Sequence, residues 1–316
     1  MSLSVKTLLR VTLPLLLISG VFAESRTNVP EFSSSRAWGH LLAQTDLGPR
    51  NPGSDGHYLA RQYYVETLRQ FADTVRQQRF RHKFPYTSDE YRFTNIIAEF
   101  GPDTERRVLL GAHWDTRPWA DRDPNFSRRD EPIIGANDGA SGVAVLLEFA
   151  RIFSEVPPPV GVTIVLFDAE DMGRSNYIDQ YALGSKYYAE QLQHPGQFRY
   201  AVILDMVGDA NLQLPMENNS RRIAPDLTRK IWNIADSLGY DVFQDRVGDS
   251  IHDDHLMLYR HAGIPAVDII DFRYPDRSHA YWHTHQDTPD KCSPQSLKIV
   301  GDVVLHLLYR EKDVSE

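Results

Sequence analysis

The sequence predicts an α/β fold in which one sheet is covered by helices on both faces. Apolar runs at residues 108–112, 162–167, 201–204 and 266–270 lack polar alternation, as strands buried on both sides do. Segments of helical periodicity lie between them, and that alternation is the pattern of a covered sheet. The runs also end in acids or histidine: His113-Trp114-Asp115, Asp168-Ala169-Glu170-Asp171, Asp205 and Asp271. Ligands of such sheets bind beyond the carboxyl ends of the strands, so a polar site is expected at that edge.

Taken in order, residues 1–23 read as a signal peptide. Lys6 and Arg10 precede an apolar stretch at 11–22, and Val21-Phe22-Ala23 offers a small-residue cleavage site. The stretch is shorter than the ~20 residues that span a bilayer, and Pro14 and Gly20 interrupt it. Export to the periplasm or the exterior is expected, with no stable membrane insertion after cleavage. Residues 24–35 read as a flexible tether and 36–316 as one catalytic domain. Helices are expected at 37–44 and 56–71, the second announced by the turn cluster Asn51-Pro52-Gly53-Ser54-Asp55. Tyr64, Leu68 and Phe71 recur at helical spacing and belong to its core face. Extended segments follow at 74–84 and 92–100. Further helices are expected at 139–153, 184–192, 225–238 and 293–309, the last with Ser293 as N-cap and Pro294 at its first position.

Charge and cysteine usage narrow the function. The formal net charge of −9 becomes −11 once Lys6 and Arg10 leave with the signal segment. An acidic exported chain is a poor partner for nucleic acid or anionic membranes. The single Cys292 excludes an internal disulfide and any thiolate metal site. Metal ligands must therefore be His, Asp or Glu.

Four clusters offer them: His113-x-Asp115, Asn137-Asp138-Gly139-Ala140-Ser141-Gly142 at a helix start, Glu170-Asp171, and Trp282-His283-Thr284. Histidine with carboxylates suits zinc, whose catalytic sites use three protein ligands and one open position. Adjacent acids such as Glu170-Asp171 allow one to ligate while the other handles protons. Each cluster has a plainer reading. Asp138 could be a helix N-cap, Glu170-Asp171 a solvated loop, and His283 a structural histidine. Their order on successive strand ends favours a site.

That order, continued by Leu204-Asp205-Met206, resembles the zinc aminopeptidase family. The resemblance implies a mixed, mainly parallel sheet sandwiched by helices, usually with two zincs. Asn51-Pro52-Gly53-Ser54, residues 91–97 (Tyr-Arg-Phe-Thr-Asn-Ile-Ile), Asp253-Asp254-His255 and Trp282-His283-Thr284 are most similar to the glutaminyl-peptide cyclotransferase branch. This resemblance implies one zinc per chain, held by Asp138, Asp171 and His283, with Glu170 as the proton-transferring acid. Asp205 and Asp253 match an acidic network hydrogen-bonded beside it, and Trp282 a wall of the substrate pocket. His113 matches a second-zinc ligand that the cyclases keep without using. Three departures stand out. Asp171 replaces the glutamate of the animal enzymes, their disulfide cannot form, and Asn176 stands where an aromatic pocket residue is expected. Tyr177, Phe272 or Tyr274 could take that place.

The implied reaction converts the N-terminal glutamine of a peptide or protein to pyroglutamate with release of ammonia. The alternative is a two-zinc aminopeptidase, in which His113 and Asp205 complete a second site and Asp138 bridges. A third class, a non-catalytic binding domain on this fold, would be expected to have lost ligands.

Overall fold

The computed structural model describes residues 29–101 and 106–311. The expected signal segment, 1–23, lies outside them. Of the expected tether, 24–35, the described part is folded into the domain. Phe32 is buried edge-on against Phe149, and the first helix, α1 (Ser34–Asp46), begins with Ser33 as its cap.

After α1 come α2 (Asp55–Arg69), β1 (Thr74–Lys83), β2 (Glu90–Phe100), β3 (Arg107–His113), α3 (Ala140–Glu155), β4 (Gly161–Phe167), α4 (Leu183–Glu190) and β5 (Phe198–Asp205). The chain continues through β6 (Leu214–Met216), α5 (Asn218–Ile223), α6 (Pro225–Ser237), β7 (Phe243–Val247), α7 (Asp254–Ala262), β8 (Ala266–Ile270) and α8 (Pro294–Tyr309). Six strands form one sheet in the order β1-β2-β4-β3-β5-β8. The β1–β2 and β2–β4 pairs are antiparallel, and β4, β3, β5 and β8 run parallel. The sheet is mixed and mainly parallel, as expected. β6 and β7 form a separate two-stranded parallel sheet.

Strand pleating sends alternate side chains to opposite layers. On β4, Val162, Ile164 and Leu166 enter the large core beneath α1, α3 and α8, whereas Val165 and Phe167 enter a smaller core under α4 and α7. Both faces are dry, which is why the strand reads as an unbroken apolar run. No helix among the described residues is long and apolar enough to cross a membrane. The parallel strands all deliver their carboxyl ends to one edge, and the β3–α3, β4–α4 and β8–α8 connections gather there.

Candidate functional site

Asp138 comes from the turn into α3, and the local geometry denies it the role of a cap. The N-cap of α3 is Gly139 at φ 100°, and no side chain caps the helix. Gly139 is required here, because a Cβ would lie 2.6 Å from the Asp115 carbonyl oxygen and its φ is unfavourable for any L side chain. The turn is held instead by Asp287. Its carboxylate accepts from the Asn137 and Asp138 amides at 2.8 and 3.1 Å and from the Tyr274 hydroxyl at 2.9 Å. The Asp138 carboxylate is thereby left to face two histidines.

Asp171 follows β4. The backbone there turns through Ala169 at φ 61°, and the Asp115 carboxylate accepts from the Glu170 and Asp171 amides at 3.0 and 3.2 Å. Arg117, only 1% exposed, donates to Asp171 Oδ1 at 2.8 Å and grips Asp121 with its other nitrogens at 2.7 and 2.8 Å. His283, at φ 58°, lies between the same acids. Its Nε2 is 3.3 Å from Asp171 and 3.7 Å from Asp138, and its Nδ1 is 3.5 Å from Asp121. One ring nitrogen thus faces the acids and a carboxylate backs the other, an arrangement that commonly orients a metal-binding imidazole.

The donor atoms of Asp138, Asp171 and His283 lie within 4.8 Å of one another, and all three residues are buried. Asp171 Oδ2 is buried without a hydrogen-bond partner. Two carboxylates and one imidazole with an orphaned oxygen are a fitting donor set for a catalytic zinc with an open position. A second group shares Asp138. His113 Nε2 stands 3.2 Å from Asp138 and 3.1 Å from Asp205. Burial would push the His113 imidazole down, but Asp115, Asp138 and Asp205 hold it well above its ordinary value.

Glu170 is half-buried beside these groups. Burial, with Asp171, Asp253 and Asp254 nearby, pushes its carboxyl well above the usual range, and His113 opposes this. Asp253 is buried at the head of α7, where its Oδ1 accepts the Asp254 amide at 2.5 Å and its Oδ2 has no partner. Burial and then Asp205 push the Asp253 carboxyl up to about 6. The acidic network differs from expectation in one respect. Among the described residues no hydrogen bond joins Asp205 to Glu170 or Asp253. Asp205 pairs instead with His113 Nε2 at 3.1 Å.

Trp282 lies against His283 with centroids 3.9 Å apart and the rings tilted by 33°, flanked by Arg122 at 4.2 Å and Phe272 at 4.8 Å. Of the three aromatic candidates, only Phe272 packs on Trp282. Tyr274 is fully buried on Asp287, and Tyr177 packs against Tyr86 in a side groove with Asn176. Sequence reasoning missed Arg117, Asp121 and Asp287. Their only signal was position, in the loops that also carry Asp115, Asp138 and His283.

The model of peptidase family M28 matches residues 95–308, most of the chain and every residue of the site. The chain belongs to peptidase family M28. Its fold matches that of a glutaminyl cyclase of Bacteroides thetaiotaomicron, solved bound to N-acetylhistamine. The TM-score is 0.85 and the identity 38%, covering 90% of this chain and 100% of that one. The glutaminyl-peptide cyclotransferase of Bos taurus is 26% identical over 316 aligned positions, 84% of this chain and 81% of that protein. An aminopeptidase of Bacillus subtilis is 28% identical over 213 positions, 64% of this chain and 40% of that protein.

Proposed function

We propose that this M28 enzyme is a zinc-dependent glutaminyl-peptide cyclotransferase, exported through its N-terminal signal segment, that acts on peptide or protein N-termini. One observation carries the reading. The likeness to a glutaminyl cyclase extends over nine-tenths of the chain and all of that enzyme at 38% identity, and a curated relative named for the same activity is matched over 81% of its length.

Asp138, Asp171 and His283 would hold one zinc, which when bound supplies Lewis acidity toward the γ-amide carbonyl of the substrate glutamine. The chain's own residues do the rest. Trp282 offers a ring face against which the glutamine side chain can curl back toward its own amine. Nucleophile and electrophile share one residue, so freezing that conformer is the main entropic gain. The α-amine nitrogen attacks the γ-carbonyl carbon, and Glu170 accepts the proton that this nitrogen sheds. As the C–N bond to the amide nitrogen breaks, Glu170 returns the proton to it, and ammonia leaves. The raised proton affinity of Glu170 brings it nearer to that of an α-amine, ordinarily ~7.7–8.0. Arg117 and Asp121 keep Asp171 and His283 in place, and water has no part in the bond changes.

The test is incubation of the exported enzyme with Gln-initiated and Leu-initiated peptides. Ammonia release from the first alone is expected. Free leucine from the second would establish the aminopeptidase instead.

A further inference from the structure

Below the pocket lies a second group of buried titratable side chains, none of which touches the substrate in the reaction above. Asp253 and His255 at the start of α7 and Asp268 in the middle of β8 place donor atoms within 4.8 Å of one another, and all are buried. Glu217, just ahead of α5, extends the row. Its Oε2 is 3.2 Å from His255 Nε2, while His255 Nδ1 is 3.6 Å from Asp268 Oδ2. The order is Glu217, His255, Asp268, Asp253, with Asp253 next to Asp205 and Glu170.

The two ends of the row differ. Glu217 is anchored as an anion. Its carboxylate accepts from the Asn219 and Ile251 amides at 2.9 Å each, and from the Ser220 amide and hydroxyl at 2.5 and 2.7 Å. Burial would raise it, but His255 and these donors hold it down to about 2. At the other end donors are missing. Among the described residues, both oxygens of Asp268 and Oδ2 of Asp253 are buried with no hydrogen-bond partner, and the ring nitrogens of His255, though close to Glu217 and Asp268, are buried without one too. Two ionised carboxylates facing each other in a dry interior are strongly disfavoured, and a proton shared between them supplies the missing donor. Burial and the charge of Asp253, Asp205 and Glu217 push the Asp268 carboxyl well above its usual range.

We infer that His255, placed between Glu217 and Asp268, is a positioning residue for cyclisation: it sets the Asp268–Asp253 pair and thereby the orientation of the Asp253 carboxyl toward Asp205 and Glu170. The inference rests on the cyclase reading. A cation on Asp253, His255 and Asp268 is the rival account. It is disfavoured because Glu217, the next acid in the row, is already committed to its own donors, and His255 and Asp268 have no solvent exposure through which an ion could enter. The charged groups around His255 are Glu217 ahead of α5, His252, Asp253 and Asp254 around the start of α7, and Asp268 on β8. Asp205 on β5 and His113 on β3 lie beyond Asp253.

The experiment compares the zinc-loaded enzyme with His255→Ala, His255→Gln and Asp268→Asn on a Gln-initiated dipeptide. His255→Ala is expected to lower kcat about 10- to 100-fold with KM within about threefold, as misplacement of a reacting group does. Its zinc content should be unchanged and the acid limb of its kcat/KM profile displaced, and His255→Gln should restore part of kcat. Should His255→Ala fail to fold, Asp268→Asn, which keeps the volume, is expected to show the same kcat loss. A kcat within about threefold of wild type in the folded variants overturns the inference. So does a second equivalent of metal in dialysed wild type that the His255 variants lack. Wild-type enzyme that releases no ammonia overturns the cyclase reading and this inference with it, whereas active wild type with insensitive variants overturns this inference alone.

Discussion

Glu170 and Asp171 are neighbours in sequence with different surroundings. Asp171 is clamped by Arg117 and faces His283, whereas Glu170 forms no ion pair among the described residues and sits among other carboxylates. Glu170→Gln is therefore expected to retain zinc while losing about 10²–10⁴-fold in kcat, the usual cost of removing a general acid/base. Asp171→Ala should empty the site, and elemental analysis beside single-turnover kinetics checks both. Arg117→Met strands a buried carboxylate, which costs about 3–5 kcal/mol when one partner of a buried pair is removed. Urea unfolding of the metal-free protein should show that loss. Glu217 makes a pH prediction. Its folded value of about 2 lies below its ordinary 4.5, so its contribution to stability is complete above about 4.5 and fades as pH falls toward 2. Glu217→Gln should flatten that acid limb in urea unfolding followed between pH 6 and 2. The donor residues were legible because they follow buried strands in a recognisable order. Arg117 and Asp121 were not, since a charged pair in a loop beside Pro118 reads as solvated, and only the fold shows that Arg117 is buried.

At the scale of elements, legibility followed continuity of the apolar pattern. The four core strands and the long helices α3 and α8 were readable because each packs one or two apolar faces over several turns or residues. α7 escaped notice because its buried face carries Asp254 and His255 beside Leu256 and Leu258, which breaks the apolar periodicity. That break marks the acid–histidine row, so the helix was hidden by the residues that tie it to the site. β6 is three residues long and contains Pro215, and α5 spans six residues, too few for a period to show. One glycine ties α3 to the sheet edge. A Cβ on Gly142 would lie 2.1 Å from the Leu204 carbonyl oxygen and 3.0 Å from Ala112 Cβ, so α3 sits on β5 and β3 with no room for a methyl group. Gly142→Ala is expected to cost about 1–3 kcal/mol, as overpacking does. It should also weaken zinc retention, because the turn before Gly142 carries Asp138. A thermal melt with and without added zinc measures both effects.

For the whole molecule, the count of metal ions separates the two enzymes this fold could be. The sheet edge gathers Asp138, Glu170, Asp171, Asp205 and Asp253 around two imidazoles and Arg117, so carboxylates outnumber cationic partners. A bound cation offsets their repulsion, and free zinc at 100 times its Kd stabilises the folded state by about 2.7 kcal/mol. Chelation should then lower Tm by roughly 4–5 °C for a chain of this size. The donors of two overlapping sites are present, with Asp138 common to both, so inventory alone favours neither count. The surroundings differ. His283 has a carboxylate behind its outer nitrogen, and among the described residues Asp171 keeps an oxygen with no hydrogen-bond partner. In the second, His113 Nε2 is directly engaged by both Asp138 and Asp205, so a cation there would have to displace two contacts already made. Dialysed protein is accordingly expected to hold about one zinc per chain, and His113→Ala to cyclise within roughly tenfold of wild type, since only a two-metal mechanism would lose its chemistry with that ring. Two tightly held zincs, with free N-terminal residues released from peptides, would make the aminopeptidase the correct reading.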